Sequence, residues 1–295
     1  MATYNGAEYL GEFLLSLQQQ SFQDFHLFVR DDGSSDATLN IVREHGRMLP
    51  ITVLPTSDRL GPAASFLQLL HSAGGDFSYY FFADQDDCWV PQKLAWAVEC
   101  LGPGVESVAV YSSRVEYVSQ CLEHIKYSRV PVRIAFENAL VENIATGCTL
   151  ALSRGARQLL VSSPPRRMAM HDWWVYLVAA AFGELRYDER PTVKYRQHGG
   201  NAVGVATSPA EDLRRRLVRF FRRQGGVFGV SCQAAEFLHC FGDRLSADQR
   251  ALTEALVRAK TDTWQRWRLV FGPHLFRQSR VDSAILRVLL AINRF

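Results

Sequence analysis

Residues 79–94 read YYFFADQDDCWVPQKL, an aromatic run followed by three carboxylates, Asp84, Asp86 and Asp87, within four positions. Carboxylates crowded in this way repel and raise one another's pKa unless a cation sits among them. A hard divalent ion such as Mg²⁺ takes one or two carboxylates together with substrate phosphates, and Mn²⁺ accepts the same oxygen ligands. An isolated acidic turn has a plainer reading, as a solvated turn that caps the next helix. The position of this one favours the cation. It ends a strand-like run in a chain that alternates strands and helices, and in such sheets ligands gather at the carboxyl ends of the strands. A second acid pair, Asp31 and Asp32, follows an earlier strand-like run, FHLFV.

Periodicity supplies the elements that must position these acids. AEYLGEFLLSLQQQ puts Tyr9, Leu10, Phe13, Leu14 and Leu17 on one helical face. Residues 25–29 are predicted as a short buried strand, and SDATLNIVREHG as a helix capped by Ser35 or Asp36 and stopped at Gly46. ITVLPT, FSYYFFAD and VAVYSSRVEYV read as further strands. GPAASFLQLLHSAGG and PQKLAWAVECLG read as helices, the second opened by Pro91, where proline is tolerated. Alternation of this kind predicts an α/β fold with a mainly parallel, Rossmann-like sheet. Beyond about residue 205 helical stretches dominate, so a boundary is expected near Thr207 to Pro209, dividing residues 1–206 from a helical, basic region, 207–295.

The totals exclude several classes. The chain of 295 residues is long enough for one large domain or two smaller ones, and its formal net charge of +3 gives no general argument for nucleic acid. The total hides one basic concentration, DLRRRLVRFFRRQGG, where Leu213, Leu217, Phe220 and Phe221 share a helical face among Arg214, Arg215, Arg216, Arg219, Arg222 and Arg223. Such a helix can lie on an anionic membrane, or pack on the protein with its arginines solvated. None of the six cysteines forms a C-x-x-C pair, and their scatter suits a reduced, cytoplasmic chain. No signal peptide is visible, and no apolar run reaches the roughly 20 residues of a spanning helix.

Five segments in order, MATYNGAEYLGEFLLSLQQQSF, VRDDGSSDAT, FFADQDDCW, HDWW and YRQHGGN, resemble family 2 glycosyltransferases, most of all the bacterial rhamnosyltransferase-like branch, across about residues 1–203. The resemblance implies a GT-A fold and Mg²⁺ or Mn²⁺ as cofactor. It also implies transfer of a sugar, with rhamnose a candidate, from a dTDP- or UDP-linked donor with inversion at the anomeric carbon. The acceptor would be a hydroxyl of a glycan or lipid-linked acceptor in bacterial surface polysaccharide, such as lipopolysaccharide. The place of action would be the cytoplasm, or the inner face of the cytoplasmic membrane if the basic helix binds lipid.

The same resemblance assigns roles. Thr3 and Tyr4, with Asn5 beside them, would meet base and ribose, and Asp31 or Asp32 the pyrimidine imide. Arg59 would be a further donor contact. Asp84 would sit at the ribose or metal, with Gln85 on the nucleotide and Asp86 on the metal. His198 would ligate the metal or donate to phosphate, and Arg196 would offset phosphate charge. Asp172 corresponds to the general base, while His171, Trp173, Trp174, Asp87 and Trp89 would contact donor or acceptor. Plainer readings stand beside these: Asp32 as a helix cap, HDWW as a helix start with its tryptophans in the core, and His198 as a structural histidine. The chain departs from the family pattern in placing Ser65 where asparagine is common and in beginning inside the first strand. A sugar nucleotidyltransferase is the competing enzyme class, but ATYNGAEYL lacks its glycine-rich basic loop. A non-catalytic sugar-binding relative is the other alternative.

Overall fold

The computed structural model describes residues 1–56, 58–199 and 229–295. The expected boundary at Thr207 to Pro209, the basic helix at 212–226, and Gly200 and Asn201 of the YRQHGGN segment lie outside the described residues.

The first third alternates as its periodicity predicts: β1 (Ala2–Thr3), α1 (Leu10–Gln18), β2 (Leu27–Asp31), α2 (Thr38–His45), β3 (Ile51–Val53) and α3 (Pro62–Ser72). β2 lies between β1 and β3 and runs parallel to both. α1 buries Leu10, Phe13, Leu14 and Leu17, the apolar face read from the sequence. β2 starts later than expected and extends through Arg30 and Asp31, because both charged residues are buried and pair with Ala2 and Thr3. Ala37, not Ser35 or Asp36, occupies the N-cap of α2, while Asp36 Oδ1 accepts the Thr38 N–H at 3.0 Å.

The second sheet is mixed. It is built from β4 (Tyr79–Phe81), β5 (Cys88–Trp89), β6 (Ala109–Val118), β7 (His124–Tyr127), β8 (Ala151–Ser153) and β9 (Glu184–Arg196). The strand order is β4-β8-β6-β9-β5, with β7 also on β6. β6 and β9 pair in parallel, and the other neighbours are antiparallel. The parallel arrangement read from the sequence therefore describes the first sheet and the β6–β9 pair. Between these strands run α4 (Lys93–Leu101), α5 (Phe136–Ala139), α6 (Arg154–Ser162) and α7 (His171–Phe182).

Among the described residues four further helices follow, α8 (Val230–Phe241), α9 (Ala247–Arg258), α10 (Thr263–Phe271) and α11 (Arg280–Ala291). They share a core with the α/β part: one buried cluster joins Phe66, Tyr80, Val110 and Leu177 to Phe237, Leu256, Leu290 and Phe295. Trp174 is the hinge of this contact, fully buried with its ring 5.5 Å from Phe237 and 6.3 Å from Phe241. No described helix is long and apolar enough to cross a membrane, and all six cysteines are free thiols.

α7 and β9 meet at Gly183, whose place is dictated by space. A Cβ there would lie 1.8 Å from the Val108 carbonyl oxygen, the same oxygen that accepts the Glu184 N–H at 3.1 Å and starts the β6–β9 ladder. Gly183→Ala must push α7 away from β6. We expect a loss of about 1–3 kcal/mol, typical of forced overpacking, read as a lower urea midpoint. An unchanged midpoint would contradict this account of the turn.

Candidate functional site

The ends of β1, β2 and β4 open on a cleft of ≈ 700 Å³. Its first wall comes from Thr3, Tyr4, Asp32, Arg59, Gly61 and Ser65. The Arg59 guanidinium stacks 3.9 Å over the Tyr4 ring, a flat cationic face of the kind that receives planar or anionic groups. Asp32 accepts from Arg30, from the Leu60 and Gly61 N–H groups at 2.8 and 2.7 Å, and from Ser65 Oγ at 3.4 Å. Burial opposes its charge, yet the Leu60 N–H, Arg30 and the Gly61 N–H hold it below the usual carboxylate range. Ser65, the departure from the family pattern, is thus a ligand of Asp32. Gln85 grips the Tyr4 peptide with both ends of its amide, at 2.9 and 3.0 Å, and a Cβ on Gly6 would collide with it at 2.2 Å.

The centre of the cleft is acidic. Asp84 and Asp86 line it. Burial, then the charges of Asp86 and Asp172, push Asp84 up to about 7. His198 Nε2 lies 2.7 Å from Asp86 Oδ2, and its ring centroid is 4.9 Å from that of Tyr9. Asp87 sits below, buried beside the Cys148 thiol, and burial followed by the charges of Asp84 and Asp86 raises its pKa well above normal. Oxygen or sulfur atoms of Asp84, Asp87 and Cys148 lie within 4.8 Å of one another. Lys93 is the cation beneath them: fully buried, donating to the Thr149 carbonyl at 3.1 Å, and pushed down to about 8 by burial.

The opposite wall holds Asp172 at the start of α7, with His171, Asn143 and Gly147. Burial raises Asp172 to about 6, against hydrogen bonds from the Trp173 N–H, the Asn143 side chain and the Gly147 N–H. His171 stacks on Phe66 with centroids 4.1 Å apart, and burial lowers it to about 3, so the imidazole is neutral. Neither of its ring nitrogens has a protein partner among the described residues. A Cβ on Gly147 would press to 2.9 Å from His171 Nε2, so this turn must be glycine for the ring to stay.

Sequence reasoning held Glu142 only as an alternative general base to Asp172 and gave Gln278, Ser279 and Asp282 no role. These four line the far end of this wall. Glu142 Oε2 accepts from Asn138 Nδ2 at 2.8 Å and from the Gln278 N–H at 2.7 Å, leaving Oε1 without a partner among the described residues. The Gln278 side chain accepts from the Val132 and Arg133 N–H groups at 2.8 and 3.2 Å and donates to the Arg133 carbonyl at 2.7 Å. The C-terminal region thus completes the cleft. Partners 145 positions apart leave no local sequence signal.

Several expected contacts lie outside the cleft. Asp31 is consumed by its own turn, accepting from Thr3 Oγ1 at 2.8 Å, the Gly33 and Ser34 N–H groups at 3.1 and 2.7 Å, and Ser34 Oγ at 2.6 Å. Asn5, at φ +44°, accepts the Ser35 N–H at 2.9 Å and so joins the first two strand-to-helix turns. Arg196 does not face the cleft as a phosphate partner would. It is buried, with its guanidinium on the Asp86 carbonyl at 2.9 Å, the Gln120 carbonyl and the Glu12 carboxylate, and its N–H on Asp87 at 3.1 Å. Trp89 and Trp174 are core residues, and Trp173 spends its indole N–H on the Ala139 carbonyl at 2.7 Å.

The profile described as Glycosyl transferase family 2 matches residues 1–142. The dTDP-rhamnosyl transferase RfbG of Shigella flexneri is 31% identical over 231 residues, covering 74% of this chain and 79% of that protein. An uncharacterized glycosyltransferase of Haemophilus influenzae is 35% identical over 97 residues, 32% of this chain and 37% of that protein. Among solved structures, S. aureus TarS 1-349 in complex with UDP-GlcNAc superposes with a TM-score of 0.58 at 18% identity, covering 99% of this chain and 77% of that one. The Pyrobaculum calidifontis mannosyltransferase PcManGT, in complex with GDP-Man and Mn²⁺, gives 0.51 at 21% identity, covering 99% and 85%. The fold is GT-A, and the extent of the match to a rhamnosyltransferase fixes the family: this chain belongs to glycosyl transferase family 2.

Proposed function

We propose that this glycosyltransferase is a metal-dependent, inverting enzyme that moves a sugar, with rhamnose the leading candidate, from a dTDP- or UDP-linked donor to a hydroxyl of a glycan or lipid-linked acceptor in bacterial surface polysaccharide synthesis. One observation carries the reading. A crowded acid pair, Asp84 and Asp86, and a carboxylate raised to about 6, Asp172, line one cleft. The rhamnosyltransferase relative supports the donor class.

The donor-side chemistry follows from the walls. The Tyr4–Arg59 stack and Thr3 suit the base and ribose, with Asp32 and Ser65 behind them. Asp86 and His198 offer an oxygen and a nitrogen ligand at one point, and Asp84 adds a second carboxylate, a donor set that fits Mg²⁺ or Mn²⁺. When bound, the ion would neutralise the donor diphosphate as it leaves. Asp84, raised to about 7 by burial and by the charge of Asp86, is favoured as a carboxylate by a cation nearby.

On the acceptor side, Asp172 takes the hydroxyl proton as the acceptor oxygen bonds to the anomeric carbon. The bond from that carbon to the diphosphate oxygen breaks and its electron pair leaves with the diphosphate, so configuration inverts. A carboxylate at about 6 is ionised at neutral pH yet basic enough for this work. Asn143 orients it, and Glu142 Oε1 is placed to accept from a neighbouring acceptor hydroxyl. The division into a catalytic 1–206 and a helical remainder is part of this proposal, with the helical part supplying acceptor wall.

Asp172→Asn keeps shape and removes basicity. Its kcat should fall by about 10² to 10⁴-fold while nucleotide diphosphate affinity holds. In the wild type, kcat/KM should rise with pH through about 6 and level above it, since the deprotonated form is the base. An Asn variant within a few-fold of wild type would assign the base elsewhere.

Asp86→Asn and His198→Ala should each weaken Mn²⁺ binding, followed calorimetrically without turnover, by at least ~10-fold, the size of a lost ligand-set interaction. Transfer should stop in EDTA. Undiminished Mn²⁺ affinity in both variants would remove the metal from this place.

A further inference from the structure

We propose that the outer face of α10 is a membrane-docking surface that takes an anionic phospholipid bilayer. α10 buries Leu269 and Val270 and turns Trp264, Trp267 and Phe271 outward, 65%, 45% and 79% exposed. These sit at i, i+3 and i+7, one helical stripe. The Trp267 and Phe271 rings stack at 5.7 Å, and the Arg268 guanidinium lies 4.6 Å over the Trp264 ring. Scattered exposed hydrophobics are ordinary, but three large aromatics in one stripe are a contact surface. Tryptophan in particular favours the boundary between lipid headgroups and acyl chains. α11 packs on α10 and adds exposed Val281, Val288 and Ile292.

Charge selects the occupant. From Lys260 to Arg294 the chain carries seven basic side chains, Lys260, Arg266, Arg268, Arg277, Arg280, Arg287 and Arg294, against two acids, Asp262 and Asp282. Asp262 is committed to capping α10, accepting the Trp264 and Gln265 N–H groups at 2.9 and 3.1 Å. Arg268, Arg280 and Arg287 are exposed and have no carboxylate partner among the described residues. A second copy docked on this face would set these arginines against their own likes. Anionic headgroups match them, at about 1 kcal/mol for each basic residue near the surface, while the aromatic stripe enters the interface as an amphipathic helix does.

The face also has a place in the fold. α11 begins at the cleft, where Ser279 and Asp282 line the acceptor-side wall, and then runs beside α10. Docking would hold that rim near the lipid surface, within reach of an acceptor carried on a lipid. This consequence rests on the glycosyl-transfer reading, but the docking does not.

The test is co-sedimentation of the full chain with phosphatidylglycerol–phosphatidylcholine vesicles and with phosphatidylcholine alone. Wild type should bind the anionic vesicles, less so as salt rises. Trp264→Ser, Trp267→Ser and Phe271→Ser combined should lower partitioning by ~10-fold or more, from the apolar area removed. Arg268→Gln with Arg287→Gln should lower it several-fold and flatten the salt dependence. Both variants should bind nucleoside diphosphate as wild type does, which shows an intact fold. A triple aromatic variant that partitions like wild type would overturn the proposal. So would wild type that ignores anionic vesicles, or a dimer in solution that the triple variant dissociates. Because no arm requires turnover, its failure would leave the transfer reading intact.

Discussion

Three carboxylates held beyond the end of one short strand repel one another, and much of this structure exists to keep them there. β4 delivers Asp84, Asp86 and Asp87 by burying Tyr80 and Phe82 in the main core. Arg196 locks the loop from behind, with its guanidinium on the Asp86 carbonyl and its N–H on Asp87. Lys93 supplies a positive charge below. Neither cation faces the open cleft. Among the described residues the Met1 ammonium, itself lowered to about 5, opposes the rise at Asp84, yet Asp84 stays raised to about 7, and this is the physical basis for proposing a cation and a diphosphate on the cleft side.

The wall that holds Asp172 depends on the same centre from the other direction. Asp172 is raised by burial at the N-terminus of α7, and α7 is held by Trp174 against Phe237 and Phe241 of α8. A carboxylate raised in this way costs folding stability at neutral pH, because the unfolded chain would ionise it more easily. The C-terminal helices offset that cost by burying the back of α7, and they also bring Gln278 to the rim. There its amide clasps the Arg133 peptide and its N–H fixes Glu142. The α/β part and the C-terminal helices thus share one core around the cleft.

The alternation of the first hundred residues was legible because the helices bury an apolar face and the strands are short, with β2 apolar up to Val29 before its buried Arg30 and Asp31. The motif residues that reach the cleft, among them Thr3, Tyr4, Asp32, Asp84, Asp86 and Asp172, were legible as acids and turn residues at strand and helix ends. Charge misled where it is buried. Arg196 looked like a phosphate partner, and β9, with Pro191 and several charges, gave no strand pattern although it spans 13 residues. Residue type does not report whether a guanidinium faces water or the Gln120 and Asp86 carbonyls. The mixed second sheet and the Glu142–Gln278 wall depend on pairings across long sequence separations, which no local window contains. The basic stretch at Arg214 to Arg223 lies outside the described residues, whereas the aromatic face of α10 carries exposed Trp264, Trp267 and Phe271.

Completion of the acid cluster by a cation is measured most directly by proton release. Asp84 at about 7 is largely protonated at slightly acidic pH, and a cation bound beside it must drive that proton off. Calorimetric titration of Mn²⁺ with nucleoside diphosphate, repeated in buffers of different ionisation enthalpy near pH 6, counts the protons released. The account predicts net release approaching one proton, lost in Asp84→Asn. A binding enthalpy independent of buffer would contradict it.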